Sequence, residues 1–187
     1  MVAAQKAVEL NGGAAAKTPD DSVTIDLHTR QQTVSLRHAK GRPMANEMPK
    51  SADYTDLSRK VLQYSEEFLR VVNKMKQPGF SEADWAPLEG LVDVKNFERV
   101  GVFLTERVEV SNWPQYKQFI SQYGGKTSWE GTLRRITEVP GLVFLELEER
   151  NTRDGVTDVA NTVTIYKFNT AGKLCNLDVY VAHIGRR

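Results

Sequence analysis

Four long segments with alternating apolar and polar residues, separated by short turns, occupy the last third of this 187-residue chain. They span residues 129–139, 142–150, 159–168 and 174–184. Twofold alternation is typical of strands that bury one face of a sheet. The connections Pro140-Gly141 and Arg153-Asp154-Gly155 are turn signals that are too short to contain a crossover helix. The pattern therefore predicts a meander of antiparallel strands.

The residues that precede this meander predict two amphipathic helices. The first begins near Asp53 or Thr55, either of which can cap it, and ends at Gln77-Pro78-Gly79. Its apolar face is spaced by three and four residues and consists of Leu57, Val61, Tyr64, Phe68, Val71 and Met75. The second helix spans residues 113–123 and stops at Gly124-Gly125. Between them, Ser81 caps a short helix, and residues 94–110 contain at least one strand.

Residues 1–50 hold few large apolar side chains and are predicted to form a disordered tail and an extended arm before a domain at 51–187. Residues 1–21 are rich in alanine and glycine, which favours disorder. Val23, Ile25 and Leu27 then alternate with polar residues, as do Val34 and Leu36. This alternation fits a short hairpin, an arm against a partner subunit or a locally extended tail.

Charge and cysteine content exclude several classes of function. Lys plus Arg (25) nearly equals Asp plus Glu (24), which leaves no electrostatic footprint for nucleic acid or a membrane surface. Cys175 is the single cysteine, so no intrachain disulfide can form. No apolar run approaches a membrane span or signal peptide, and a cytoplasmic protein is predicted. Three scattered histidines without ligand spacing and no phosphate-binding glycine loop predict no metal and no cofactor.

Two local sequences carry a resemblance to a known family. They are Glu149-Arg150-Asn151-Thr152-Arg153-Asp154-Gly155 and Gly172-Lys173-Leu174-Cys175-Asn176-Leu177-Asp178-Val179-Tyr180. Together with the order of elements over residues 57–182, they resemble the nuclear-transport-factor-two-like superfamily, which includes ketosteroid isomerases, SnoaL-like polyketide cyclases and limonene-epoxide-hydrolase-like enzymes. The resemblance implies an α+β fold in which a cone-shaped, curved antiparallel sheet wraps a pocket closed by N-terminal helices. It also implies a homodimer formed through the outer face of the sheet.

The same resemblance points to candidate catalytic carboxylates. The epoxide hydrolases use an Asp–Arg–Asp arrangement, and the match places Glu149 at the first Asp and Leu147 at the Arg. The second Asp falls on Val179, and Asp178 matches only after a one-residue slip that reverses its face. Alternation independently places Glu149 on the same face as Val143, Leu145 and Leu147. We therefore expect Glu149 at the inner edge of the pocket, where burial penalises the charged form.

Several further residues are predicted to line the pocket and bind substrate. Tyr64, Trp85, Trp113 and Tyr116 lie on or beside the helices that would roof it, although aromatic residues at helical spacing are more often core. Leu147 and Val179 belong to the inward face of their strands. His183 shares the parity of Val179, and a structural histidine is its commoner role.

These observations favour a small enzyme that uses acid/base chemistry without a cofactor. It would be a cyclase, isomerase or hydrolase that acts on a hydrophobic, oxygenated small molecule, with Glu149 and Asp178 as the proton-handling pair. The alternative is a non-catalytic module of the same fold that binds a small molecule or dimerises. The two hypotheses differ in one feature, because an enzyme needs titratable groups that converge on one cavity.

Overall fold

A six-stranded curved sheet forms the body of the protein in a computed structural model that describes residues 48–102 and 108–186, with the side chains of 48–101 and 108–182. Its strands are β1 (Glu98–Val102), β2 (Val108–Asn112), β3 (Ser128–Val139), β4 (Leu142–Arg153), β5 (Val156–Phe168) and β6 (Leu174–Arg186). Their order in the sheet is β2-β1-β6-β5-β4-β3. The predicted tail and arm fall outside the described residues, except for residues 48–50.

The predicted meander corresponds to the run from β3 to β6. Consecutive strands of this run pair antiparallel throughout. The hairpin between β4 and β5 turns at Asp154 and Gly155, whose φ angles of 52° and 76° are those of a type I′ turn. This turn matches the right-handed twist of its strands, so both strands continue to the turn itself.

One strand pair departs from the antiparallel expectation. β1 runs parallel to β6, with Arg99 opposite Leu177 and Gly101 opposite Val179. Short turns constrain only strands that follow one another in the chain, and β1 and β6 do not. The α+β fold class is confirmed, and the sheet is mixed.

The described part of the chain contains three α-helices, and the first and the third contact the sheet. They are α1 (Asp56–Met75), α2 (Ala86–Glu89) and α3 (Trp113–Tyr123), and single 3-10 turns occupy Ser51–Asp53, Glu82–Trp85 and Gly124–Lys126. α3 begins where Asn112 and Gln115 form a reciprocal capping box, with side-chain to backbone distances of 3.1 and 3.0 Å. It ends at the predicted stop, Gly124.

A carboxylate from the sheet caps the start of α1. Thr55 is the residue before the helix, but its hydroxyl donates to Asp56 instead of capping the backbone. The amides of Leu57 and Ser58 donate to the two carboxylate oxygens of Glu138 on β3, at 3.3 and 2.8 Å. A negative charge is favourable at this end of a helix dipole, which explains why a distant residue can replace the local cap.

The two faces of the sheet differ in character. Val143, Leu145 and Leu147 of β4 face the helices and are at most 6% exposed. Glu146 and Glu148 alternate with them and face outward, where they pair with Arg135 and Arg134 of β3. A bulge between Leu133 and Arg135 shifts the β3 register, and it places Arg135 opposite Glu146 while Leu133 stays opposite Leu147. Hence the core and any enclosed cavity lie on the helical side.

Candidate functional site

A cavity of about 490 Å³ lies between α1, α3 and the inner face of the sheet. This volume is within the usual range for a small-molecule site. Apolar and aromatic side chains form most of its wall. They include Phe68, Leu69, Val72, Phe119, Ile120, Trp129, Leu147, Leu177 and Val179. Polar side chains also line the cavity and can form hydrogen bonds with a ligand. They include Glu149, Arg99, Tyr64, Tyr116 and Tyr166.

Glu149 is a half-buried carboxylate of the cavity wall that is held on both of its oxygens. Trp129 Nε1 donates to one oxygen at 3.0 Å, and Thr162 Oγ1 donates to the other at 2.6 Å. The two donors come from β3 and β5, the strands on either side of β4. A carboxylate has about four lone-pair sites, so these two bonds fix its orientation and leave acceptor capacity toward the cavity.

A glycine makes the bond from Trp129 possible. Gly131 lies directly opposite Glu149 in the β3–β4 ladder. A Cβ atom at this position would lie 2.5 and 2.8 Å from ring atoms of Trp129, which is closer than real contacts allow. The indole therefore occupies the space above Gly131 and points its N–H along the sheet toward Glu149.

Three buried tyrosines form a cluster of neutral hydroxyls beside this carboxylate. Burial is the largest influence on each and raises the pKa of Tyr64, Tyr116 and Tyr166. The charge of Glu149 further raises the pKa of Tyr116 and Tyr166. All three phenols consequently stay protonated at neutral pH and can donate hydrogen bonds. Tyr64 Oη is buried and makes no hydrogen bond of normal geometry within the described part of the chain.

Arg99 adds a cation to the same wall. Its side chain is 4% exposed, and burial lowers the pKa of Arg99 to about 10 despite the opposing influence of Tyr116, Tyr64 and Glu109. A pKa of this value keeps the guanidinium charged at neutral pH. The Arg99 charge lowers the pKa of Tyr116, whereas the Glu149 charge raises it. The Tyr116 hydroxyl therefore lies within electrostatic reach of both charges.

The structure does not bring Asp178 together with Glu149. Asp178 stands opposite Val100 and Ile165 in the outward row of the sheet, while its neighbours Leu177 and Val179 line the cavity. Alternation along β6 accounts for this separation, because successive side chains point to opposite faces. The expected pair of carboxylates does not converge.

The predicted substrate-binding residues divide into two groups. Tyr64, Tyr116, Leu147 and Val179 line the cavity. Trp85 and Trp113 do not line it. They are 2% and 1% exposed, and their rings pack edge to face with centroids 6.3 Å apart. Trp113 occupies the first turn of α3, where its Nε1 donates to Glu89 of α2, so it belongs to the core beyond the end of the cavity.

Backbone register settles the position of His183 but not that of its side chain, which lies outside the described side chains. His183 pairs with Ala160 on β5, and Ala160 pairs with Glu149 on β4. Glu149, Ala160 and His183 therefore occupy paired positions on the neighbouring strands β4, β5 and β6. Its predicted role in substrate binding stays a prediction.

The sequence pattern did not predict that Arg99, Trp129, Thr162 and Tyr166 line the cavity or contact Glu149. Thr162 and Tyr166 share an inward face of β5, but the opposite face carries Val163 and Ile165, so hydrophobicity alone favours the wrong side. The position of Arg99 could not be predicted from sequence, because it depends on the parallel pairing of β1 with β6. The one usable signal was Trp129-x-Gly131, a large ring two residues from a glycine on the same face of a strand.

In the portion of the chain that the structure describes, no set of three or more His, Cys, Asp or Glu side chains is arranged to hold a metal ion. Among the helices of that portion, none combines the length and apolar character that crossing a bilayer requires.

Comparison with known proteins gave matches among solved structures alone. No protein-family model and no curated protein sequence matches the chain. A crystal structure from Rhodopseudomonas palustris, described as a candidate isomerase, matches with a TM-score of 0.51 at 11% identity, over 65% of this chain and 88% of the other. The Δ5-3-ketosteroid isomerase from Mycobacterium sp. matches at 0.48 and 16% identity, over 66% and 98%. An epoxide hydrolase of the limonene type from M. tuberculosis matches at 0.46 and 11%, over 66% and 83%.

At these identities a structural likeness speaks for the fold alone. The element order, the curved mixed sheet and the helices over its inner face are those of the nuclear-transport-factor-two-like fold. The resemblance inferred from the sequence is thus confirmed at the level of fold. No reaction is carried over with it, since this fold supports unrelated functions.

Proposed function

We propose that this protein catalyses proton transfer on an apolar carbonyl compound, with Glu149 as the general base and the tyrosine hydroxyls as donors to the carbonyl oxygen. The observation that carries the proposal is a carboxylate oriented on both oxygens inside an apolar cavity that also holds neutral phenols. Proton abstraction beside a carbonyl needs such a base together with donors aimed at the oxygen that becomes negative.

The roles of the two groups follow from their environments. Hydrogen bonds from Trp129 and Thr162 hold the Glu149 carboxylate in one orientation at the cavity wall, where it can accept a proton from a bound ligand. Burial keeps Tyr64 and Tyr116 protonated, so they donate instead of competing for the proton. An oriented carboxylate beside phenols that stay protonated supplies both a proton acceptor and hydrogen-bond donors for acid/base chemistry. Isomerisation through an enolate is the reaction that this pair suits.

Epoxide opening is disfavoured by two hydrocarbon side chains. The epoxide-hydrolase match puts Leu147 at the bridging Arg and Val179 at the second Asp, and both line the cavity. Neither side chain can protonate an epoxide oxygen. Neither carries the positive charge that would hold two carboxylates in opposite protonation states. The outward position of Asp178 also removes the carboxylate that the sequence match offered as the partner of Glu149.

A non-catalytic binding module is the second candidate function. Both oxygens of Glu149 already accept hydrogen bonds, so the carboxylate could serve to hold Trp129 in the cavity wall. Binding without proton transfer is the behaviour expected of that role.

Deuterium exchange of β-tetralone, a compact apolar ketone with acidic C–H bonds, distinguishes the two. We expect the protein to accelerate exchange at the carbon beside the carbonyl, as followed by proton NMR in D2O. Glu149→Gln should reduce the acceleration by about 100-fold or more, the usual contribution of a general base. Glu146→Gln, on the outward face of the same strand, should leave it unchanged.

Equal exchange rates for the wild-type protein and Glu149→Gln would contradict the proposal. Binding of the ketone without any acceleration would favour the binding module instead. Tyr116→Phe offers a second arm, since loss of a donor to the developing oxyanion lowers the rate by about 100-fold to 1000-fold without removing the base.

A further inference from the structure

Arg99 is a buried cation that the sheet is built to accommodate. Gly101, two residues along β1, adopts a φ of +151°, and a Cβ there would lie 2.7 Å from the carbonyl oxygen of Val179. The same Cβ would lie 3.2 Å from Nη1 of Arg99. Glycine at this position therefore allows β1 to approach β6 closely and leaves the guanidinium room along the inner face. Arg99 is 4% exposed and belongs to the cavity lining.

The groups that face Arg99 leave it suited to an anionic partner from the cavity. Tyr64 and Tyr116 are neutral phenols, one from α1 and one from α3. Glu109, a half-buried carboxylate opposite Gly101 on β2, also acts on the Arg99 charge. A guanidinium has five N–H donors in a planar fork, so it can serve Glu109 and a ligand carboxylate together.

The charged side chains that line the cavity also give it a direction, because Arg99 lies at one side and two carboxylates, Glu149 and Asp158, outnumber one cation, Arg153, at the other. Arg99 lies on β1 and Glu149 on β4, with β6 and β5 between them. A ligand carboxylate is attracted at the Arg99 side and repelled at the Glu149 side. An anionic ligand consequently enters in one orientation, with its carboxylate remote from the base.

We propose that the substrate is an apolar carbonyl compound that also bears a carboxylate, and that Arg99 binds this carboxylate. The inference rests on the proposed function for the Glu149 side of the cavity, and it adds the chemical class of the substrate. The apolar part of the cavity wall contacts the hydrocarbon part of the substrate. It includes Phe68, Phe119 and Leu147.

Isothermal titration with β-naphthoate and β-naphthamide tests the inference, since the two probes have the same shape and differ in charge. The wild-type protein should bind the carboxylate at least about 10-fold more tightly than the amide, the scale of one charge-assisted hydrogen bond. Arg99→Gln should abolish this preference, and Arg99→Lys should keep part of it. Arg135→Gln, which removes an exposed arginine from the outward face, should retain all of it.

Equal affinities for the two probes in the wild-type protein, or no binding of either, would overturn the inference without the need for any variant. So would an unchanged preference in a folded Arg99→Gln protein, with folding checked by circular dichroism. Glu149→Gln separates this inference from the proposed function. The carboxylate preference should persist or increase in that variant even if exchange of β-tetralone shows that Glu149 is not a base.

Discussion

Three glutamates on one strand occupy two different environments. Glu146 and Glu148 project from the outward face of β4 and pair with arginines of β3. Glu149 projects from the inward face, accepts hydrogen bonds from Trp129 and Thr162, and lines the cavity. The residue type is the same in each case, so the face of the strand decides the chemistry. On the outward face a glutamate forms a surface ion pair with an arginine. On the inward face a glutamate lies among apolar groups and neutral hydrogen-bond donors, where it can act as a base.

Core packing should give the largest difference between the two faces. Leu145 faces inward and is 1% exposed, whereas Ile165 lies half-buried on the outward face. We expect Leu145→Ala to lower the free energy of unfolding by about 3 kcal/mol, through lost burial and a residual cavity. Ile165→Ala should lower it by less than about 1.5 kcal/mol. Urea unfolding measures both, and equal losses would mean that the outward face is covered as fully as the core.

Gly131 provides a smaller and more local way to disturb the inner face. Gly131→Ala inserts a methyl group into the space of the Trp129 ring, so it should displace the indole from Glu149. Overpacking of this kind lowers the free energy of unfolding by about 2 kcal/mol. Trp129 fluorescence should change at the same time.

Gly125→Ala is the matched control, because a Cβ at Gly125 meets no atom within 4 Å. Its unfolding free energy should stay within about 0.5 kcal/mol of wild type. If Gly131→Ala behaved like this control, the assigned position of the Trp129 ring would be refuted.

The outward ion pairs should give the smallest effect. The hydrogen bond from Arg134, with its charge and that of Arg150, lowers the pKa of Glu148 below its ordinary value of 4.5. A depressed carboxyl pKa adds stability above the unfolded-state value, and this stability is lost as the pH falls through the folded-state pKa. Glu148→Gln should therefore lower the unfolding free energy by less than about 1 kcal/mol at pH 7 and remove its part of the acid dependence.

Unfolding measured as a function of pH checks this expectation, with high salt as the control, because screening should erase most of the difference between wild type and Glu148→Gln. A loss of several kcal/mol would place Glu148 in a buried network and weaken the contrast between the faces.

Alternation and turn signals were sufficient to predict the strands and the inward face of β4. Glu149 could be placed from sequence because three apolar residues share its parity. The register of β3 could not be predicted, because no sequence signal marks the bulge near Arg134 that shifts it.

The partners of Glu149 and the position of Arg99 could not be predicted, because both depend on strand pairing. Trp129 and Thr162 reach Glu149 from neighbouring strands that lie 20 and 13 residues away in the chain. Arg99 faces the cavity because β1 runs parallel to β6, and no local pattern encodes that pairing. Trp85 and Trp113 were predicted to line the pocket, but they are buried in the core, which is the commoner place for aromatic residues at helical spacing.

The most direct test of the contrast between the faces is carbon NMR of protein labelled at the glutamate carboxyl groups, recorded while β-tetralone is added. Glu149→Gln, Glu148→Gln and Glu146→Gln assign the three signals. We predict that the Glu149 signal moves with saturable dependence on the ketone, whereas the Glu146 and Glu148 signals stay fixed. A fixed Glu149 signal with the ketone bound, or a shift of the outward pair, would contradict the assignment of Glu149 to the cavity.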